Sequence, residues 1–303
     1  VLDLSWSNID IKKNGDRYIM KIGAHVSTAG GLSNAFDRAS NIGAEAIQIF
    51  ASSPRAWKFN QPKEEEVRLF KEKMEQTGIW PCYIHGSYLV NIGGDPSQIE
   101  KSIESLTNNM SVAGKIGAEG VIFHGGSHKG KGFHNIVKQA SECLKRVLDN
   151  SPENVWLCLE NSAGMGSHIG SSFEEMGELI HLVQNDNLKV CLDTEHMFAA
   201  GYDLTNPDEV PQIMKRFDEE IGLSKLVAVH ANDSKVELGS GVDRHENIGD
   251  GFIGIDGFKS LMNDPSFEKV PFFLEVPGFD SKGPDEININ LLKSIRTDLG
   301  INK

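Results

Sequence analysis

Eight short apolar runs, separated by amphipathic stretches and recurring about every 35 residues, span the 303-residue sequence almost from end to end. A strand pattern that alternates with a helical one calls for a parallel sheet, because each strand needs a crossover before the next can align with it. The runs are KIGAHV (21–26), AIQIF (46–50), CYIHG (82–86), VIFHG (121–125), WLCLE (156–160), KVCLD (189–193), LVAVH (226–230) and PFFLE (271–275). Between them, apolar residues at helical spacing predict helices over 63–76, 96–116, 134–148, 173–183, 207–221 and 286–295. The first shows the logic: it follows Pro62, places Val67, Phe70 and Met74 on one face, and stops at Gly78. Eight such units, with no Ser/Pro linker or break in composition, predict a single α/β domain, a (β/α)8 barrel of about 250 residues with insertions. Residues 20–303 form that domain, and residues 1–19 read as an N-terminal extension.

Where the runs end carries the functional signal. Seven of the eight close on His25, His85, His124, Glu160, Asp193, His230 or Glu275. The C-terminal ends of parallel barrel strands converge on one face, where the connecting loops build a site. A single polar strand end merely meets solvent. Seven of metal-ligating type, with no Lys, Arg, Ser or Thr among them, predict a cluster. Cys158 and Cys191 stand two residues before Glu160 and Asp193, so small residues lie beneath the acids in the barrel interior. Three further ligand types lie off the runs: His196, and the pair Asp243 and His245, which in extended backbone point to one side.

Apart from His25, this makes nine candidate ligands, five histidines and four acids. One catalytic ion needs about three protein ligands, so nine imply several ions. With no cysteine among them, zinc or manganese is favoured over copper or iron–sulfur chemistry. Ions about 3.5 to 4 Å apart suit phosphate-ester hydrolysis, because they stabilise the attacking and leaving oxygens together.

The net charge of −13 and pI near 5.2 argue against a nucleic-acid partner, since phosphate backbones are usually met by a basic face. That objection weakens where cations are local: metal ions flanked by Arg55, Lys58, Lys129, Lys131 and Arg244 would supply a positive field at one groove. No stretch approaches the roughly 20 apolar residues of a membrane helix, and Asp3, Asp10 and Asp16 crowd the opening segment where targeting peptides avoid acids. A cytoplasmic protein is expected, nucleoid-associated in a bacterium, with nuclear or mitochondrial placement open in a eukaryote. Cys82, Cys143, Cys158 and Cys191 form no C-x-x-C pair and read as buried reduced thiols. The glycosylation pattern at Asn109 is then a chance match. The stretch HGGSHKGKGFH (124–134) lacks the G-K-[ST] ending of a phosphate loop and reads as a mobile active-site loop, with Ser127 or His128 at a phosphate. His134 reads as a helix start, and His168 and His181 as surface or satisfied core residues.

Long motifs add to this picture: GAHVSTAGG (23–31), HGSYLVNIGG (85–94), LENSAGMGSHIG (159–170), CLDTEHMFAAGYDL (191–204), HANDSK (230–235), GSGVDRHENIGDGFIG (239–254) and LEVPG (274–278). Together they resemble endonuclease IV, the apurinic/apyrimidinic endonuclease family built on a TIM barrel, from about Lys21 to Leu299. The resemblance implies a zinc-dependent deoxyribonuclease IV of the phage T4-induced type, acting in base excision repair. It cleaves the phosphodiester 5′ of an abasic site, leaves a 3′-hydroxyl and a 5′-deoxyribose phosphate, and removes 3′-blocking groups. Three zinc ions are implied, with manganese an option at one site: the first on His85, His124 and Glu160, the second on Glu160, Asp193, His230 and Glu275, the third on His196, Asp243 and His245. Glu160 is implied to orient the attacking water and Glu275 to assist as a base. Arg55, Tyr88 and Leu89 match the residues that enter the duplex, and His25, Ser127 and Arg244 are further expected DNA contacts. A monomer acting on abasic or 3′-blocked duplex DNA is expected.

Three positions depart from the family pattern. Gly86 stands where an acid is common, Glu195 adds a carboxylate within DTEH, and Asp250 replaces a glutamate. Gly86 puts a partner of His85 in doubt. The main alternative is a metal-dependent sugar isomerase or epimerase on the related xylose isomerase-like barrel, which needs fewer metals and no duplex wedge. A non-catalytic zinc or damaged-DNA binding protein and an ultraviolet-damage endonuclease are lesser alternatives.

Overall fold

The computed structural model describes residues 20–301. The expected extension, 1–19, lies outside the described residues. Eight parallel strands close into a barrel: β1 (Ile22–His25), β2 (Ile47–Ile49), β3 (Cys82–His85), β4 (Gly120–His124), β5 (Trp156–Glu160), β6 (Leu188–Asp193), β7 (Leu226–His230) and β10 (Phe272–Leu274). Each pairs with its sequence neighbour, and β10 returns to β1 with Ile22 opposite Phe272. The connection after β7 carries a small antiparallel ribbon of β8 (Asp233–Ser234) and β9 (His245–Glu246).

Helices fill the connections: α1 (Asn34–Asn41), α2 (Glu64–Thr77), α3 (Pro96–Ile116), α4 (Phe133–Asp149), α5 (Phe173–Val183), α6 (Thr194–Ala199), α7 (Val210–Glu220), α8 (Gly254–Asn263) and α9 (Glu286–Asp298). Their limits follow local chemistry. The carboxylate of Asp95 accepts the Gln98 N–H ahead of Pro96, and Gly117 ends α3 in the left-handed region at φ 79°. Gly78 ends α2 in the same way. The triplet at Asn109 lies inside α3, where that side chain is buried and donates to Ser105 O, so it offers nothing to a glycan. His134 is the second residue of α4, and His181 is exposed on α5 with Nδ1 at the Gly177 carbonyl.

The inside of the barrel is built in two storeys. Ala46, Tyr83, Ile122, Cys158, Cys191, Ala228 and Phe273 pack into a cluster of their own, separate from the larger core between sheet and helices. Residues two apart on a strand share a face, so directly above these seven stand Gln48, His85, His124, Glu160, Asp193, His230 and Glu275. The eighth strand contributes Gly23 below His25. A Cβ on Gly23 would lie 2.4 Å from the Ala46 carbonyl oxygen, so only glycine fits there. The Tyr83 hydroxyl reaches across the barrel to the Val227 carbonyl at 3.0 Å. All four cysteines are free and buried, and burial pushes their thiols up.

At the opposite end, Glu45 fastens β1 to α9. It accepts the Ile22 N–H at 2.9 Å and both Nη atoms of Arg296 at 2.6 and 2.9 Å. Burial opposes ionisation of Glu45, but the Arg296 guanidinium and the Ile22 N–H outweigh it and hold the carboxyl below its usual range.

Candidate metal centre

Glu160, at the end of β5, is the hub of the upper storey. One carboxylate oxygen lies 3.0 Å from His124 Nε2 and 3.4 Å from His85 Nε2; the other lies 3.0 Å from His230 Nδ1 and 3.3 Å from His196 Nδ1. Burial raises its pKa, yet His124 and His230 outweigh this, so the carboxyl sits well below its usual range. His85 Nδ1 meets the Gly86 carbonyl at 2.8 Å, which leaves Nε2 to face inward. A backbone carbonyl thus orients this ring without an acidic neighbour. The missing side chain at Gly86 also suits the packing, since a Cβ there would approach Phe123 to 3.2 Å.

A second group gathers Glu160, Asp193, His230 and Glu275. Its organiser is Gln48, fully buried on β2. The Gln48 amide nitrogen donates to Glu275 Oε1 at 2.6 Å, and its oxygen meets His230 Nε2 at 2.8 Å. That bond turns His230 Nδ1 toward the carboxylates. Asn232 plays a parallel part, donating to Asp193 Oδ2 at 2.7 Å while its oxygen accepts the Glu275 N–H at 2.9 Å. His25, expected as a DNA contact, is turned into this network: Nδ1 lies 2.7 Å from Glu275 Oε1, and 12% of its side chain is exposed. Burial lowers the His25 pKa, with Glu275 only partly offsetting it.

The third group forms at the top of α6 and along β9. His196 Nε2 lies 3.3 Å from Asp243, His245 Nε2 lies 3.4 Å from the other Asp243 oxygen, and His245 Nε2 is 3.7 Å from Asp193. Burial opposes the charged form of His196, but Asp193, Asp243 and Glu160 raise its pKa well above the usual value. Burial likewise opposes ionisation of Asp243, and His196 and His245 bring it down to about 2. Glu195 gathers with Asp193, His196 and His245, so two residues of this group also face a second pair of carboxylates. Burial and the neighbouring Asp193 push the Glu195 carboxyl up to about 7.

All nine predicted ligands therefore meet in one connected ring, and the donor set fits divalent ions. His85 Nε2 and His245 Nε2 are buried with no hydrogen-bond partner, facing the carboxylates of Glu160 and of Asp193 and Asp243. Buried polar atoms are rarely left so. Sequence reading missed Gln48, because the run AIQIF ends on Phe50. The available signal was parity: Gln48 is the polar residue two after Ala46.

Of the expected DNA contacts, Tyr88 stands directly against this ring. Tyr88 is 47% exposed, with its ring centre 5.4 Å from His85 and 5.8 Å from His124. Partial burial and the carboxylates of Glu275 and Glu160 push its hydroxyl up to about 12. Its N–H donates to the Pro54 carbonyl at 2.9 Å, which ties the loop bearing Arg55 to the loop bearing Tyr88 and Leu89. Arg55, Lys58, Lys129, Lys131 and Arg244 are exposed, and Leu89 is half-buried. The glycine-rich stretch after β4 is tied to its neighbours by hydrogen bonds. Ser127 N donates to Asn91 Oδ1 at 3.1 Å, His128 N to Ser167 O at 2.9 Å and Ile169 N to Gly126 O at 2.9 Å. A Cβ on Gly126, at φ 80°, would lie 2.7 Å from Asn91.

The chain is similar to known proteins in sequence and fold. A model of the xylose isomerase-like TIM barrel family matches residues 36–296. The probable endonuclease 4 of Halothermothrix orenii is 40% identical over 276 residues, covering 90% of this chain and 99% of its own length. The chain belongs to the endonuclease IV family. The probable endonuclease 4 of Aquifex aeolicus is 36% identical, covering 90% of this chain and 96% of its own. The crystal structure of endonuclease IV from Thermus thermophilus superimposes with a TM-score of 0.82 at 34% identity, over 92% of this chain and 99% of that one. A D-tagatose 3-epimerase-like protein shares the fold at 17% identity and a TM-score of 0.69, covering 92% of this chain and 97% of its own. No helix among the described residues is long and apolar enough to cross a membrane.

Proposed function

We propose that this chain is a metal-dependent endonuclease of base excision repair. It hydrolyses the phosphodiester 5′ of an abasic site in duplex DNA, leaving a 3′-hydroxyl and a 5′-deoxyribose phosphate, and it also removes 3′-blocking groups. The observation that carries this reading is the ring of nine ligand-type side chains on the barrel's loop face with Tyr88 standing beside it. His85, His124 and Glu160 would hold one divalent ion, Glu160, Asp193, His230 and Glu275 a second, and His196, Asp243 and His245 a third. Zinc suits the imidazole-rich sets, and manganese is an option at one of them. Bound ions supply Lewis-acid stabilisation of the phosphate charge and activation of water.

The protein's own groups do the rest. Glu160, reaching four imidazoles, fixes the spacing of the first two sets and would orient the attacking water. Glu275 is held by Gln48 and His25 with its second oxygen 3.5 Å from His230 Nδ1, placed to accept a hydrogen bond from the attacking water. Tyr88, Leu89 and Arg55 fill the gap left by the missing base, where an abasic nucleotide has little stacking to lose. The exposed Arg55, Lys58, Lys131 and Arg244 would meet phosphates locally, which would reconcile DNA binding with a net charge of −13. The working unit is a monomer in the cytoplasm. Identity of 34 to 40% to endonuclease 4 proteins supports this reading over a sugar isomerase or epimerase, since the epimerase-like barrel is only 17% identical.

The test is a nicking assay. Purified protein should cleave a duplex at a tetrahydrofuran abasic analogue without added magnesium and should survive brief EDTA treatment. Metal-replete protein that leaves the duplex intact would defeat the endonuclease reading.

A further inference from the structure

One carboxylate at the centre exceeds the nine expected ligands. Glu195, the second residue of α6, is fully buried. Its Oε1 accepts the Arg244 backbone N–H at 3.0 Å and faces the Ser234 hydroxyl at 3.4 Å. Its Oε2 is buried with no partner, and so is His245 Nε2. Asp193, Glu195, His196 and His245 each offer one donor atom, and the four atoms lie within 4.8 Å of one another. The Arg244 guanidinium does not neutralise the acid, since its Nη1 donates to the Asp243 carbonyl at 2.6 Å. Two carboxyls this close in a buried site are costly to ionise together unless a cation lies between them, and Asp193 stands two residues from Glu195.

We propose that Glu195 is a fourth protein ligand to the ion held by His196, Asp243 and His245, through the two imidazoles that both carboxylates share. The inference rests on the metal-dependent reading above. Two imidazoles and two carboxylates balance the charge of one divalent ion, and the added oxygen shifts this position toward harder ions such as manganese. With four protein donors, the ion also has fewer open positions and is held more firmly than by three.

The experiment compares the holoprotein with its Glu195→Gln variant, which keeps an acceptor for the Arg244 N–H. Metal content is counted by mass spectrometry during stepwise chelation, and protein refilled with Mn2+ is examined by electron paramagnetic resonance. The wild-type chain should carry three ions. Glu195→Gln should lose one of them at a chelator concentration at least about 10-fold lower, and its manganese spectrum should change. Unchanged chelation and an unchanged spectrum would overturn the proposal. Should Glu195→Gln fail to fold, Glu195→Asp replaces it: retention weaker than wild type supports ligation, and equal retention refutes it. A wild-type chain that never carries a third ion defeats the three-ion reading itself, whatever the variants do.

Discussion

Gln48 allows a sharp test of how the centre is held. Replacing it with leucine keeps the approximate volume but removes both ends of the amide. One end donates to Glu275 Oε1 at 2.6 Å, and the other meets His230 Nε2 at 2.8 Å. A hydrogen bond to a charged group contributes about 1.5–3 kcal/mol, and a buried N–H left without an acceptor costs about 1–3 kcal/mol. Partners that orient metal-binding histidines typically change affinity by roughly 10–100-fold. Gln48→Leu should therefore weaken retention of the ion at His230 and Glu275 by about one to two decades and lower kcat/KM by a similar factor. It should also destabilise the metal-free fold by about 1–3 kcal/mol in urea titration. Chelator competition read by mass spectrometry measures the first, and abasic-duplex kinetics the second. A variant with wild-type retention and turnover would show that His230 and Glu275 are oriented without Gln48, and the reasoning would fall.

Three further outcomes are expected. Glu160→Gln should reduce cleavage by more than about 10³-fold, because one side chain serves two metal sets, and near-normal turnover would remove Glu160 from the mechanism. Tyr88→Ala should weaken binding to abasic duplex by about 1–3 kcal/mol while sparing intact duplex, as measured by fluorescence anisotropy; equal losses would argue against insertion. Glu45→Gln should destabilise the fold by about 1–2 kcal/mol at neutral pH. The folded-state pKa of Glu45 is depressed, so its contribution is present above the unfolded value near 4.3 and disappears as pH falls through the lower folded value. Denaturant titrations of the two proteins should thus converge once the pH has fallen below the depressed folded value, and a gap that persists in acid would contradict the assignment.

The strands were legible because a buried parallel strand is apolar along its length. WLCLE and LVAVH coincide with β5 and β7, and the helix limits at Pro96, Ile116, Phe173 and Val183 also agree. The histidines and acids at strand ends were legible for the same reason, since a polar residue interrupts an apolar run. Gln48 escaped because it lies within its run, where only the two-residue period marks it as facing inward. The short helices α1, α6 and α8 and the β8–β9 ribbon carry too few turns or pairs to leave a periodic trace. Their positions come from tertiary contacts such as the Asp233 carboxylate, which accepts N–H groups from Gly249, Gly251, Ile253 and Gly254. Glu195 was visible as an extra acid in DTEH, but its burial and its unpartnered oxygen belong to the folded chain.

The lower storey of the barrel has a kinetic consequence. Tyr83, Ile122, Cys158, Cys191, Ala228 and Phe273 are almost wholly inaccessible, so the centre has a floor and its traffic runs through the loop face. That face is also where the duplex would lie. Substrate and chelator would then compete for a single doorway, and ions would be loaded before DNA arrives and guarded while it stays.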